Sequence, residues 1–180
     1  MARLETRTDA EISPELLERL ARYRINGNLP DVYRQMAVNE SVLVAYLNME
    51  ETLASCSLAV REVEAIKLTV SELSRCEFCL AVHTMKAAKA GLDEAAQLNI
   101  RAGQPCGDAR VDAVAAVARQ CMLGGGTLAS AQIEELRLLG FDDSAFMEIV
   151  LAASTIFLTN SFNHFNDTPL SVPPAKPLSV

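Results

Sequence analysis

In the stretch SELSRCEFCLAVHTM, Cys76 and Cys79 are separated by two residues, and His83 follows Cys79 by four positions. Two thiols at this spacing can cycle between dithiol and disulfide, help to hold a metal, or sit inert in a core. If the segment is helical, at about 100° per residue, all three side chains lie on one face. A histidine one turn from Cys79 can take its proton or stabilise the resulting charge. A carboxylate bonded to that imidazole would fix its tautomer and raise its basicity. Glu64 is the candidate, with Val60 and Leu68 one turn to either side; the competing reading is a surface glutamate paired with Lys67 or Arg61. Zinc on Cys76, Cys79, His83 and Glu64 would have suitable ligand types, but structural zinc sites usually draw on loops or two separated clusters. Ser74 and Glu77 have capping-box spacing, which predicts a helix start between them and puts Cys76 in the first turn. There the unsatisfied amides and the helix dipole favour a thiolate, more strongly at Cys76 than at Cys79.

The elements that position these residues read as helices throughout. Half of the 180 residues are apolar but only 5% are aromatic and none is Trp, so the core is built from Ala, Leu, Val, Ile and Met. Ser13 and Pro14 open a short amphipathic helix, and NGNLPD is a turn cluster. Helices follow from candidate caps Asp31 and Asn39, and the segment 58–73 places Ala59, Val63, Ile66 and Val70 at helical intervals. The CxxC segment should run as helix to Gly91, a residue suited to the position just past a helix end. Beyond it come a short helix closed by Gly103 and Pro105, then an alanine-rich one stopped by the glycines at 124–126. A helix capped by Ser130 and ending at Gly140 follows, and then the longest and most apolar helix, through Phe165. No segment alternates apolar and polar residues as a half-buried strand does. The expectation is a single all-α domain of about six to eight helices with an extended, Pro-rich C-terminal tail.

Composition narrows the partners. A formal net charge of −7 with scattered Lys and Arg gives no basis for gripping a phosphate backbone, so no nucleic acid is expected. The N-terminal stretch lacks a signal-peptide apolar run, and EIVLAASTIFLTNSF reads as too short and too hydroxyl-rich to span a bilayer. We therefore expect a cytoplasmic protein without a membrane partner, its five cysteines kept reduced. Cys56, Cys106 and Cys121 have no partner at motif spacing and read as core or partly exposed thiols. His164, Asn160, Asn163 and Asn166 read as helix-end residues, although His164 could line the CxxC pocket. The methionines 36, 49, 85, 122 and 147 read as core fillers.

The pattern Glu64, eleven residues, Cys76-Glu-Phe-Cys79, three residues, His83 resembles the signature of the alkylhydroperoxidase D-like branch of the carboxymuconolactone decarboxylase family. The later segments SAQIEELRLLGF and DDSAFMEIVLAASTIFLTNSFNHFND are similar to that family's second half. The resemblance covers residues 30–168, leaving 1–29 as an N-terminal helical extension and 169–180 as the tail. It implies a thiol-dependent hydroperoxide reductase in which Cys79 is peroxidatic, Cys76 resolves, and His83 and Glu64 form the proton relay. It implies no cofactor and no metal. An external dithiol, thioredoxin-like or lipoyl, would reduce the disulfide, and the chain would assemble as a trimer or hexamer. One departure is Phe78, where some well-known members have a histidine that contacts the first cysteine. Two alternatives remain: a redox-sensing or interaction protein of the same fold, and a lyase like the family's namesake, against which Cys76 and Cys79 count because the namesake type lacks the CxxC.

Overall fold

The computed structural model describes residues 2–178, and among them the architecture is all-α, as expected. In chain order the helices are α1 (Pro14–Leu20), α2 (Asp31–Met36), α3 (Glu40–Ala54), α4 (Val60–Leu73), α5 (Glu77–Lys89), α6 (Glu94–Ala102), α7 (Ala109–Gly124), α8 (Ser130–Leu138) and α9 (Asp143–Asn166). Short 3₁₀ turns flank α1 and α2.

α4 is the axis. Every residue from Glu62 to Ser71 is buried, because α5, α6, α7 and α9 pack around it. Val111, Val114 and Val117, spaced by threes, face it from α7, and Ala145, Ile149, Ala152, Ala153 and Ile156 of α9 join the same core. At the head of α4 the buried Glu62 accepts the Ala59 amide at 2.9 Å and is gripped by Arg110 of α7 at 2.6 Å. The Arg110 guanidinium also lies 3.9 Å from the centre of the Phe141 ring and bonds the Leu139 carbonyl. A charge buried in this way is tolerable because its hydrogen bonds are met.

A second core joins Ile12, Leu16, Leu20 and Leu29 to Met36, Leu43 and Leu47 of α2 and α3. The boundary drawn at residue 29 therefore crosses a packed cluster. Beyond α9 the described residues form neither helix nor strand, and Arg101, itself buried, holds the Lys176 carbonyl at 2.7 Å while pairing with Glu72. Ser179 and Val180, the last residues of the expected tail, lie outside the described residues.

Several local expectations need correction. Asn39 caps α3 by accepting the Val42 amide, but Asp31 and Ser130 each sit one place inside their helices, with Pro30 and Ala129 at the cap positions. Met85 and Met147 are exposed rather than core, at 40% and 68%. α9 runs 24 residues, the length its sequence suggested, and by length and composition the whole helix could cross a membrane, although the apolar stretch within it reads as too short. Its buried stripe nevertheless packs into the core on α4 and α7. Gly91 lies at φ +92 just after α5, the left-handed region where a side chain would be strained.

Candidate active site

The CxxC helix does not begin with the Ser74 capping box. Ser74 ends α4, and its hydroxyl has no hydrogen-bond partner. Arg75 then adopts φ +54, and the Cys76 amide donates back to the Ser71 carbonyl at 3.0 Å, which closes α4 in the manner of a Schellman motif. Cys76 is at the same time the N-cap of α5: its sulfur accepts the Cys79 amide at 3.4 Å. The end of one helix and the start of the next thus meet in a single residue, and a thiol takes the place a serine usually fills.

Cys76 and Cys79 are 2% and 3% exposed, and both are free thiols. The Cys76 pKa is lowered from 9.0 to about 7, first by the hydrogen bond from the Cys79 thiol. The Cys79 and Phe78 amides and the charge of His164 add to this, against the opposing effect of burial. Cys79 is pushed well up: its proton is held on the Cys76 sulfur, it is buried, and a second negative charge there would repel the first. In the resting dithiol one proton is shared, and Cys76 carries the charge.

His83 and Glu64 meet as the sequence predicted. His83 Nδ1 lies 2.7 Å from Glu64 Oε2, with both side chains buried. The surface alternatives for Glu64 are not realised, because Lys67 pairs with Glu50 of α3 at 2.8 Å and Arg61 pairs with Asp108. Burial pushes His83 below its ordinary value, and the nearby Lys86 and Lys67 charges add to this against the pull of Glu64. Burial would raise Glu64, but the charge and hydrogen bond of His83, with Lys67 and Lys86, outweigh it and leave the carboxyl low. A charged imidazole and a neutral one both fit the 2.7 Å contact. The near-complete burial of the ring decides for a neutral imidazole beside a carboxylate, Nδ1–H donating and Nε2 left as the base.

α9 supplies the rest of the site, through residues whose sequence context suggests helix-end roles. Asn163 Nδ2 donates to Cys79 Sγ at 3.2 Å, Asn160 Oδ1 accepts the Ser71 hydroxyl at 3.3 Å, and Asn166 bonds Gln35 and the Leu4 amide. All three are buried. Their spacing continues the buried stripe of Ala145, Ile149, Ala152 and Ile156, and that periodicity was the available signal. His164 Nε2 holds the Ser74 carbonyl at 2.7 Å, a tie across 90 residues rather than a local one. A cavity of about 290 Å³ opens over Cys76, walled by Arg75, Phe78, Asn163, His164 and Thr168 among others. Cys56, Cys106 and Cys121 stand apart from it and are partly buried. Among the described residues no cluster of three or more His, Cys, Asp or Glu side chains is arranged to hold a metal ion.

Residues 41–120 match the carboxymuconolactone decarboxylase family. No curated protein matches the sequence significantly. Among solved structures, an uncharacterized peroxidase-related protein from Ralstonia eutropha JMP134, described as an alkylhydroperoxidase AhpD core, superposes with a TM-score of 0.84 at 17% identity, covering 94% of this chain and 92% of its own. A cysteine-to-alanine variant of the debrominase Bmp8, in complex with 2,3,4-tribromopyrrole, superposes at 0.77 with 15% identity, covering 95% and 92%. A peroxidase-related protein from Silicibacter sp. TM1040 gives 0.73 at 20% identity, covering 97% and 95%. These likenesses establish the fold.

Proposed function

We propose that this chain, whose residues 41–120 match the carboxymuconolactone decarboxylase family, is of that family's alkylhydroperoxidase D-like branch and acts as a thiol-dependent hydroperoxide reductase that works without a bound cofactor. The observation that carries the reading is the buried Glu64–His83 hydrogen bond one helical turn from Cys79. A neutral imidazole held by a carboxylate is a base, and it stands on the same face as a dithiol that already gives up one proton near neutrality.

His83 takes the second proton, from Cys79, and the Cys79 thiolate attacks a hydroperoxide oxygen. The O–O bond breaks, the sulfur becomes a sulfenic acid, and the leaving alkoxide receives the proton held on His83. Cys76 then displaces hydroxide from that sulfur, which leaves as water with a proton from the site, and a Cys76–Cys79 disulfide forms. An external dithiol, thioredoxin-like or lipoyl, reduces it by two exchange steps. The stripe of Met147, Val150 and Phe157 on the outer face of α9 is exposed and would be covered in a trimer or hexamer.

A second order of attack is favoured by one observation: Cys76, the charged sulfur, lines the cavity, whereas Cys79 lies behind it. One experiment tests the function and both orders. The reduced protein is treated with stoichiometric hydrogen peroxide or cumene hydroperoxide, and the products are mapped by mass spectrometry in wild type, Cys76→Ser and Cys79→Ser. A Cys76–Cys79 disulfide in wild type is expected, with a sulfenic acid at Cys79 in Cys76→Ser; a sulfenic acid only at Cys76 in Cys79→Ser reverses the order. Unreacted thiols in wild type would sink the reading, and a parallel arm with a bromopyrrole would then ask whether the dithiol serves dehalogenation instead.

A further inference from the structure

Asn163 is the polar group of the site that the Glu64–His83 relay does not use. It is 5% exposed, its Nδ2 touches Cys79 Sγ at 3.2 Å, and it forms part of the wall of the cavity over Cys76. Its Oδ1 is buried with no hydrogen-bond partner. An orphaned buried acceptor of this kind is costly and calls for an explanation. Turning the amide over would set Oδ1 against the Cys79 sulfur at 3.2 Å, where it would oppose the thiolate that this sulfur must become. Cys76 in turn is held as acceptor by the amide at the start of α5. The chemistry of the pair therefore fixes the amide with its N–H on sulfur and its oxygen free.

We propose that Asn163 is a catalytic residue for Cys79: its Nδ2–H holds the sulfur as it becomes a thiolate, and its Oδ1 accepts the O–H of a small hydroperoxide entering the cavity. This rests on the peroxidase reading above. The two contacts act on the same step. The sulfur attacks the oxygen that bears the hydrogen, the O–O bond breaks, and that oxygen with its hydrogen ends as the sulfenic acid. The other oxygen leaves as alkoxide and takes the proton His83 received from Cys79. Arg75, Glu77, His164 and Asp167 line the cavity, so the substrate this site suits is small and polar, such as hydrogen peroxide or a short-chain hydroperoxide.

The test compares wild type with Asn163→Leu, which matches asparagine in branching, and Asn163→Asp, which matches it in volume, after circular dichroism shows them folded. In a Cys76→Ser background, alkylation of Cys79 by iodoacetamide is followed against pH with mass-spectrometric mapping. Loss of the N–H should move its midpoint up by about one pH unit, and further in Asn163→Asp, where a carboxylate faces the sulfur. With Cys76 present, single-turnover oxidation by hydrogen peroxide, corrected for the thiolate fraction, should fall at least roughly tenfold in Asn163→Leu and far less in Asn163→Asp, which keeps an acceptor oxygen. If wild type forms the disulfide and the corrected rate in Asn163→Leu equals it, the inference about Asn163 is overturned while the peroxidase reading stands. If wild type does not react at all, the peroxidase reading fails and takes this inference with it.

Discussion

His83 Nδ1 and Glu64 Oε2 stand 2.7 Å apart, joining α5 to α4 between two side chains that are each less than a tenth exposed. A lone buried carboxylate would be costly, and so would a lone buried imidazolium; together they make a base that needs no solvent. Glu64→Gln keeps the size but can turn an N–H toward the ring and favour the wrong tautomer. The expected result is a roughly 10²-fold or greater slowing of single-turnover disulfide formation. His83→Gln should cost about as much, and the double variant little more, because the two act as one unit.

Cys76 titrates near 7 in the folded protein against 9.0 for an ordinary cysteine. Its folded-state value is depressed, so between about pH 7 and 9 the unfolded chain binds more protons, and stability rises with pH across that window. Urea unfolding under reducing conditions should show a gain on the order of 2 kcal/mol between the two ends, and Cys76→Ser should flatten it.

His164 ties the end of α9 to the end of α4, and its charge helps to hold the Cys76 thiolate. His164→Gln can still donate to the Ser74 carbonyl but removes the charge. The alkylation midpoint of Cys76 should then move upward while the thermal midpoint of the protein barely changes. An unchanged alkylation profile would leave His164 with the tether as its only role.

Lys67 is 3% exposed and answers Glu50, whose carboxyl burial would raise but Lys67 holds low. Lys67→Met strands that carboxylate and should destabilise the fold by roughly 3 kcal/mol, with Glu50→Gln added on top recovering much of the loss. The sign of the acid response reverses as well. Wild type loses this contribution as pH falls through the depressed Glu50 value, whereas the single variant prefers a protonated Glu50 and should lose less in acid.

The helices were legible because a 3.6-residue pattern survives without tertiary context: Val63, Ile66 and Val70 fall where their spacing put them, buried in α4. Cys76, Cys79 and His83 were legible as a set because their spacing places them on one helical face, whereas Glu64 joined them only through the family resemblance, since spacing left it between a relay partner and a surface ion pair. The helix start was not legible. Ser74 and Glu77 satisfy a local rule, but the last turn of α4 claims Ser74 first, and a turn through Arg75 leaves the cap to Cys76. The contribution of α9 was hidden for a different reason. Asparagine at a helix end has many local uses, and only the approach of α5, 84 residues away in sequence, turns Asn163 toward a sulfur.

The double duty of Cys76 bears on how tightly the oxidised form holds its electrons at bay. A disulfide to Cys79 would draw the Cys76 sulfur off the Cys79 amide, so each oxidation unfastens the first turn of α5 and each reduction refastens it. Folding energy would then side with the dithiol, as it does in other proteins whose reduced form is the better stabilised, and the couple of the proposed cycle would become more oxidising. The enzyme would be recharged by even a mild thiol donor, and the loosened turn would mark, for any partner that meets it, which molecules are waiting to be reduced.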